Sequence, residues 1–223
     1  MRERVVFAVV SDLHAMPYDD AVDVITACDA VLAPGDLTER HYNRYEASIR
    51  FLREISERMP LFYSLGNHEI KLKDRAAFFK EASGTKAILL DNGASEYRGI
   101  WIGGLSSVFG QAAPDTDFLS RFEKKPGFKL LMCHHPEMYM KHVSGMNIDI
   151  TVSGHAHGGQ VQLFGRGLFA PGQGLLPKYT HGTYDNGRLL VSRGFSNSPR
   201  LPRFNNPCEL IILTIEPEIK DAT

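Results

Sequence analysis

One recurring unit constrains the fold of this chain more than anything else: a short apolar run that stops abruptly at a loop rich in Gly, Asp, Asn and His. The run at residues 5–10 ends at Ser11-Asp12-Leu13-His14, and the run Ala30–Ala33 ends at Pro34-Gly35-Asp36. Residues 61–65 end at Gly66-Asn67-His68-Glu69, residues 129–133 at His134-His135-Pro136, and residues 148–152 at Ser153-Gly154-His155-Ala156-His157-Gly158-Gly159. Apolar runs of that length, bounded by turn residues, read as buried strands. In a twisted α/β sheet the carboxyl ends of strands meet at one edge, so loops far apart in sequence can build one site.

Between the runs the pattern turns helical. Residues 19–28 read as a short helix, residues 74–81 as another, and residues 138–142 as a helical piece. Tyr45, Ile49, Leu52, Ile55 and Met59 recur three or four apart, which predicts an amphipathic helix over 43–58. Residues 87–90 and 99–103 read as strands, with 91–93 and 97–99 as turns. A hairpin turn at Asp185-Asn186-Gly187 precedes a strand at 189–192 and a closing strand at 210–215. An α/β first half followed by a β-rich finish predicts sheets packed face to face with helices outside. No internal repeat or linker interrupts the chain, so one domain over residues 1–223 is expected.

Composition excludes several classes of function. With 25 Lys and Arg against 26 Asp and Glu, the net charge is -1, and no global positive field exists to hold a long nucleic acid. The three cysteines are widely spaced and never paired as C-x-x-C, which argues against a disulfide framework or a zinc ribbon. The first apolar run is far shorter than the roughly 20 residues of a membrane span and ends at Ser11-Asp12 rather than at a small-residue cleavage site. The expected location is therefore the cytoplasm, with peripheral association at a membrane surface as the alternative.

The five loops bring together Asp12 and Asp36, four imidazoles (His14, His134, His155 and His157) and the carboxamide of Asn67, with His68 beside it. Taken singly, each loop has a structural reading as a turn, a cap or a polar strand end. Taken together, they form the imidazole and carboxylate set, free of thiolate, that suits two borderline first-row divalent ions. Such a pair, about 3.5–4 Å apart, can clamp the attacking and leaving oxygens of a displacement at phosphorus. Asp-x-His and His-x-His suit strand ends, because residues two apart point the same way.

In order, D-x-H, G-D, G-N-H-E, H and G-H-x-H, these blocks resemble the signature of the calcineurin-like metallophosphoesterase superfamily. The segment from Gly154 to Gln160, Pro177-Lys178-Tyr179 and Val191-Ser192-Arg193-Gly194 are similar to its bacterial YkuE-type branch. The resemblance implies an α/β (α+β) fold, a four-layer α-β-β-α sandwich of two mixed sheets flanked by helices. It also implies that Asp12, His14, Asp36 and His157 hold one metal, that Asp36, Asn67, His134 and His155 hold the other, and that Asp36 bridges. The active-site histidine of the family falls on His68. Manganese, iron and zinc all fit the donor set. Gly35-Asp36-Leu37-Thr38-Glu39-Arg40 lacks the acidic continuation of the protein Ser/Thr phosphatases, which argues against that activity.

The expected activity is therefore hydrolysis of a phosphodiester or phosphomonoester by hydroxide shared between two metals, with His68 assisting the phosphate or the leaving group. The expected partner is a small phosphoester rather than extended nucleic acid; oligomeric state is left open. Two alternatives stand beside it. One is a phospholipid or lipid-nucleotide pyrophosphate hydrolase at a membrane surface, suggested by the apolar residues Leu163, Phe164, Leu168, Phe169, Leu175 and Leu176. The other is a non-catalytic interaction module on the same scaffold. Arg40 and Arg193 are candidate substrate contacts, with His41 and Arg203 beside them, although the common fate of such residues is a solvated surface. Glu69 reads first as a helix cap, His135 as a loop histidine and Cys133 as a buried apolar residue.

Overall fold

The apolar runs become two sheets whose parallel strands all end at the same edge. The structure, a computed structural model, describes residues 3–108, 112–196 and 202–217. In chain order the first half comprises β1 (Val5–Val9), α1 (Val22–Thr26), β2 (Ala30–Ala33), α2 (Glu46–Arg58), β3 (Leu61–Tyr63), α3 (Asn67–Ile70), α4 (Arg75–Ala82) and β4 (Ile88–Leu89). β5 (Gly93–Tyr97), β6 (Ile100–Leu105), α5 (Thr116–Phe122), β7 (Phe128–Cys133) and β8 (Ile150–Ser153) follow. The last third is β-rich: β9 (Gln162–Leu163), β10 (Arg166–Gly167), β11 (Phe169–Ala170), β12 (Gly174–Leu175), β13 (Gly182–Tyr184), β14 (Leu189–Val191) and β15 (Ile211–Ile215).

The first sheet has the order β15-β1-β2-β3-β4, parallel except for β15 at its edge. The second has the order β13-β14-β8-β7-β6-β5, parallel in its four central strands and antiparallel at both edges. Because both faces of each sheet are covered, successive strand residues enter different cores. Val5, Phe7 and Val9 of β1 and Ala30 and Leu32 of β2 meet Ile102, Leu130, Met132 and Val152 between the sheets. Ala8, Val10, Val31 and Ala33 pack instead under Ile49, Leu52 and Ile55 of α2 and Phe78 of α4. On the far side Leu131 and Cys133 pack with Phe118, Leu119 and Phe122 of α5 and with Tyr139 and Val143. This is the four-layer α-β-β-α sandwich of mixed sheets.

Gly103 of β6 makes that outer layer fit: a Cβ there would lie 2.7 Å from the Phe122 ring. α5 was not expected from the sequence, yet it has a start signal, since the Asp115 side chain accepts from the Phe118 amide at 2.8 Å. Two other expectations are corrected. The helix expected over 43–58 begins only at Glu46, because Asn43 turns left-handed (φ 50°) and its side chain bonds to Asp74 instead. The strand β5 was also unexpected, since Gly-Ala-Ser-Glu-Tyr has little strand propensity; it forms by full pairing with β6.

Candidate metal centre

Every parallel strand that carries one of the five sequence blocks delivers its loop to one cleft. As β1 and β2 leave the sheet their backbones remain paired: the Asp12 amide donates to Gly35 O (3.1 Å) and the His14 amide to Asp36 O (3.1 Å). The pairing is achieved in an uncommon conformation. Asp12, His14, Asp36, His155 and His157 all have φ between 47° and 67°, a left-handed region that Asp and His enter more readily than other L-residues. Two motif glycines clear space for the carboxylates. A Cβ on Gly66 would lie 2.2 Å from Asp36 Oδ1, and one on Gly154 would lie 2.3 Å from Asp12 Oδ2.

The side chains form two adjoining groups. Ligand atoms of Asp12, His14 and His157 lie within 4.8 Å of one another, and so do those of Asp36, His134 and His155. Asp36 belongs also to a third such group with His14 and His68, so it links its own group to His14 of the first. His14 Nε2 and His157 Nε2 face each other at 3.2 Å, and His134 Nε2 is 3.1 Å from Asp36 Oδ2. The other nitrogen of His134 is 3.1 Å from Pro34 O, which fixes a proton on Nδ1, so that Nε2 is the nitrogen with a lone pair to give when the ring is neutral. Asp12 is held by Ser11 Oγ (2.6 Å) and the His155 amide, and Asp36 Oδ1 by the His68 amide (2.7 Å).

This donor set fits divalent ions on its own chemistry. Asn67 Oδ1 is buried without a hydrogen-bond partner, and His134 Nε2 faces the Asp36 carboxylate at 3.1 Å. The set contains no sulfur. Burial alone would raise Asp36, but His134 and His68 outweigh it and hold this carboxyl well below the usual carboxylate range. Burial also lowers His157, to about 4, against the pull of Asp12. A ring kept neutral in this way keeps a lone pair for a metal.

His68 sits on α3 just past Asn67 and lines the cleft. Its Nδ1 accepts from the Arg40 amide at 3.2 Å, so the ring proton lies on Nε2. Burial, opposed by Asp36, pushes its pKa down to about 3.

Glu69 does more than the helix cap expected of it. Its carboxylate accepts from the Gly66 amide (2.8 Å), the Asp36 amide (2.9 Å), the Thr38 amide (2.8 Å) and Thr38 Oγ1 (3.0 Å). It therefore ties the G-N-H-E loop to the G-D loop. Glu39, not singled out in the sequence, is a further buried carboxylate, 3.5 Å from His14 Nδ1 and 3.6 Å from His68 Nδ1.

The cleft has a volume of about 860 Å³, and Arg40, His41, Lys71 and Lys141 line it beside the histidines. The two lysines carried no motif and were missed. Arg193 does not join them: its guanidinium bonds Asn206 Oδ1 (3.1 Å) and lies 3.6 Å from Glu209. Arg203 is not a solvated side chain either, since its Nη2 reaches His157 Nδ1 at 3.2 Å. His135 is engaged with Glu137 at 3.2 Å, its ring 4.0 Å from that of His155. Cys133 is buried, and burial pushes its thiol up to about 12, as suits a packing residue.

The family model for calcineurin-like phosphoesterases matches residues 5–159, which span β1 to the G-H-x-H loop. The chain belongs to this family. As a calcineurin-like phosphoesterase it is in class a metal-dependent phosphoester hydrolase. It is 27% identical over 230 residues to the metallophosphoesterase YkuE of Bacillus subtilis, covering 92% of this chain and 77% of that protein. A metallophosphoesterase of Helicobacter pylori is also 27% identical, over 93% of this chain, which spans only 59% of that relative. Among solved structures, the 5'-nucleotidase precursor of Thermus thermophilus shares the fold, with a TM-score of 0.52 and 16% identity, over 85% of this chain and 48% of that one. Among the described residues of this calcineurin-like chain, no helix is long and apolar enough to cross a membrane.

Proposed function

We propose that the chain hydrolyses a small phosphodiester or phosphomonoester with two divalent ions, one held by Asp12, His14 and His157, the other by Asn67, His134 and His155, with Asp36 shared. The observation that carries this reading is that ligand atoms of Asp36 lie within 4.8 Å of His134 and His155 on one side and of His14 on the other. Bound ions would supply Lewis acidity toward the phosphoryl oxygens and a nucleophilic water at neutral pH.

The chain's own residues supply the rest. Arg40, Lys71 and Lys141 give the cleft a positive lining that draws in an anionic ester. Neutral His68 presents Nε2–H to the cleft and hydrogen-bonds a phosphoryl or leaving-group oxygen; it turns proton donor only after charging beside the bound anion. Glu69 fixes the backbone that aims Asp36, and the Pro34 carbonyl fixes the ring of His134.

The test is hydrolysis of p-nitrophenyl phosphate and bis-p-nitrophenyl phosphate by metal-stripped protein reloaded with manganese, iron, nickel, zinc or magnesium. Turnover should return only on reloading and should fall at least ~100-fold in Asp36→Asn. The ratio of diester to monoester rates then names the substrate class. A wild-type protein that takes up no metal would sink this reading and favour an interaction module.

A further inference from the structure

Beside the cleft stands a lobe whose apolar side chains point into water. Phe164 is 102% exposed, Leu175 81%, Leu176 74%, Phe204 64% and Leu163 44%. They are contiguous through the backbone. Val161 pairs with Phe204 and accepts from the Leu168 amide (2.9 Å), and Leu168 in turn accepts from the Leu176 amide (2.9 Å). Isolated exposed leucines are ordinary, whereas five large apolar side chains on one stitched lobe mark a surface that meets something apolar.

The segment that carries four of the five is one-sided in charge. Between Asp149 and Asp185 the sequence contains no Asp or Glu, while Arg166 and Lys178 stand exposed on the lobe. Lys178 is braced over the Tyr179 ring at 5.1 Å. Phe164 crowns the turn between β9 and β10, a convex tip rather than a groove, which suits insertion into a deformable apolar phase. A two-fold contact between copies would set Arg166 and Lys178 against their own kind, which disfavours self-association. The lobe is also fastened to the cleft: the hairpin of β11 and β12 carries Leu175 outward, while Pro171 and Gly172 at its turn line the cleft mouth.

We propose that this lobe docks on an anionic lipid bilayer, with Phe164, Leu175, Leu176 and Phe204 entering the apolar boundary and Arg166 and Lys178 meeting the headgroups. Resting on the hydrolase reading, docking brings the cleft to the membrane surface and makes an amphiphilic phosphoester, carried in that surface, the class of substrate.

The test is co-sedimentation of the full chain with vesicles of phosphatidylglycerol and phosphatidylcholine, or of phosphatidylcholine alone, with hydrolysis of a soluble p-nitrophenyl ester measured in parallel. The wild type should partition onto anionic vesicles. Phe164→Ser with Leu176→Ser should weaken that by on the order of tenfold or more. Arg166→Glu with Lys178→Glu should abolish the preference for anionic lipid. Both variants should keep the wild-type melting temperature and soluble-ester turnover. A wild type left in the supernatant, or binding indifferent to the loss of Phe164 and Leu176, would overturn the proposal. Sedimentation velocity showing a dimer that these substitutions split would overturn it in favour of a second copy. Loss of soluble-ester turnover in the wild type would strike the hydrolase reading alone and leave the vesicle result standing.

Discussion

Glu69 holds Asp36 by its backbone rather than by its side chain: Oε2 accepts the Asp36 amide at 2.9 Å while Oε1 accepts the Thr38 amide at 2.8 Å. Glu69→Gln replaces one acceptor oxygen with an NH₂ facing backbone N–H groups, in a site fully closed to water. A loss of about 3 kcal/mol is expected, seen as a drop of roughly 6–12 °C in the melting temperature of the metal-free protein. Metal affinity should fall ~10–100-fold because the loop carrying Asp36 loosens. Isothermal titration beside the melting curve separates the two effects.

His68→Ala tests the division between holding metal and using it. Since His68 Nδ1 is engaged by the Arg40 amide and Nε2 faces the cleft, the variant should bind both ions yet lose ~10²–10⁴-fold in turnover. Metal content by mass spectrometry and ester hydrolysis give the two readings. Full turnover in the variant would remove His68 from the mechanism.

Gly154→Ala aims a methyl group at Asp12 Oδ2 and Ser11 Oγ. The clash should cost about 1–3 kcal/mol of stability. On the proposed two-ion reading, displacing Asp12 should also lower the metal stoichiometry toward one, with the Asp36 group retained. Equal loss of both ions would show that the two groups are filled as one unit.

Metal uptake should release protons. Although burial opposes charge on His134, Asp36 overcomes it and pushes this imidazole up to about 9 in the metal-free protein. A metal needs the neutral ring, so a proton competes below that pH. Apparent affinity of the Asp36 group should climb with pH and level off near 9, and replacing His134 with Gln should flatten the slope.

Stability of the metal-free protein should fall on both sides of about pH 6.5. On the acid side, burial keeps His68 and His157 neutral down to about 3 and about 4. The unfolded chain takes up protons on these rings below 6.5 and the folded one does not, so each costs about 1.4 kcal/mol per pH unit until its folded pKa is reached. His134 has the opposite sign: its raised pKa stabilises the fold fully below 6.5, and that contribution is lost as pH rises to about 9. Denaturant melts across pH 4 to 10 trace both limbs.

The strands that carry the candidate site were legible because burial on both faces leaves an uninterrupted apolar run with a sharp polar end. β1, β2 and β7 follow their expected ranges within a residue or so. β5 was not legible, since Gly-Ala-Ser-Glu-Tyr is made a strand only by its neighbour β6. At the site, Asp12, Asp36 and the histidines were readable as motif residues. Lys71 and Lys141 were not, because a lysine at the rim of a cleft looks in sequence like any solvated lysine. Glu39 and Arg203 were obscured for a related reason: their burial depends on chain segments distant in sequence closing over them. The fate of Arg193 rests on Glu209, a pairing that no local pattern announces.

Left-handed backbone at Asp12, His14, Asp36, His155 and His157 sets the chemistry of this chain against its own durability. Each such position costs roughly 1–2 kcal/mol that glycine would relieve. Strain of this kind is stored where the candidate ligands stand, so the backbone that aims them is also the backbone that costs the fold.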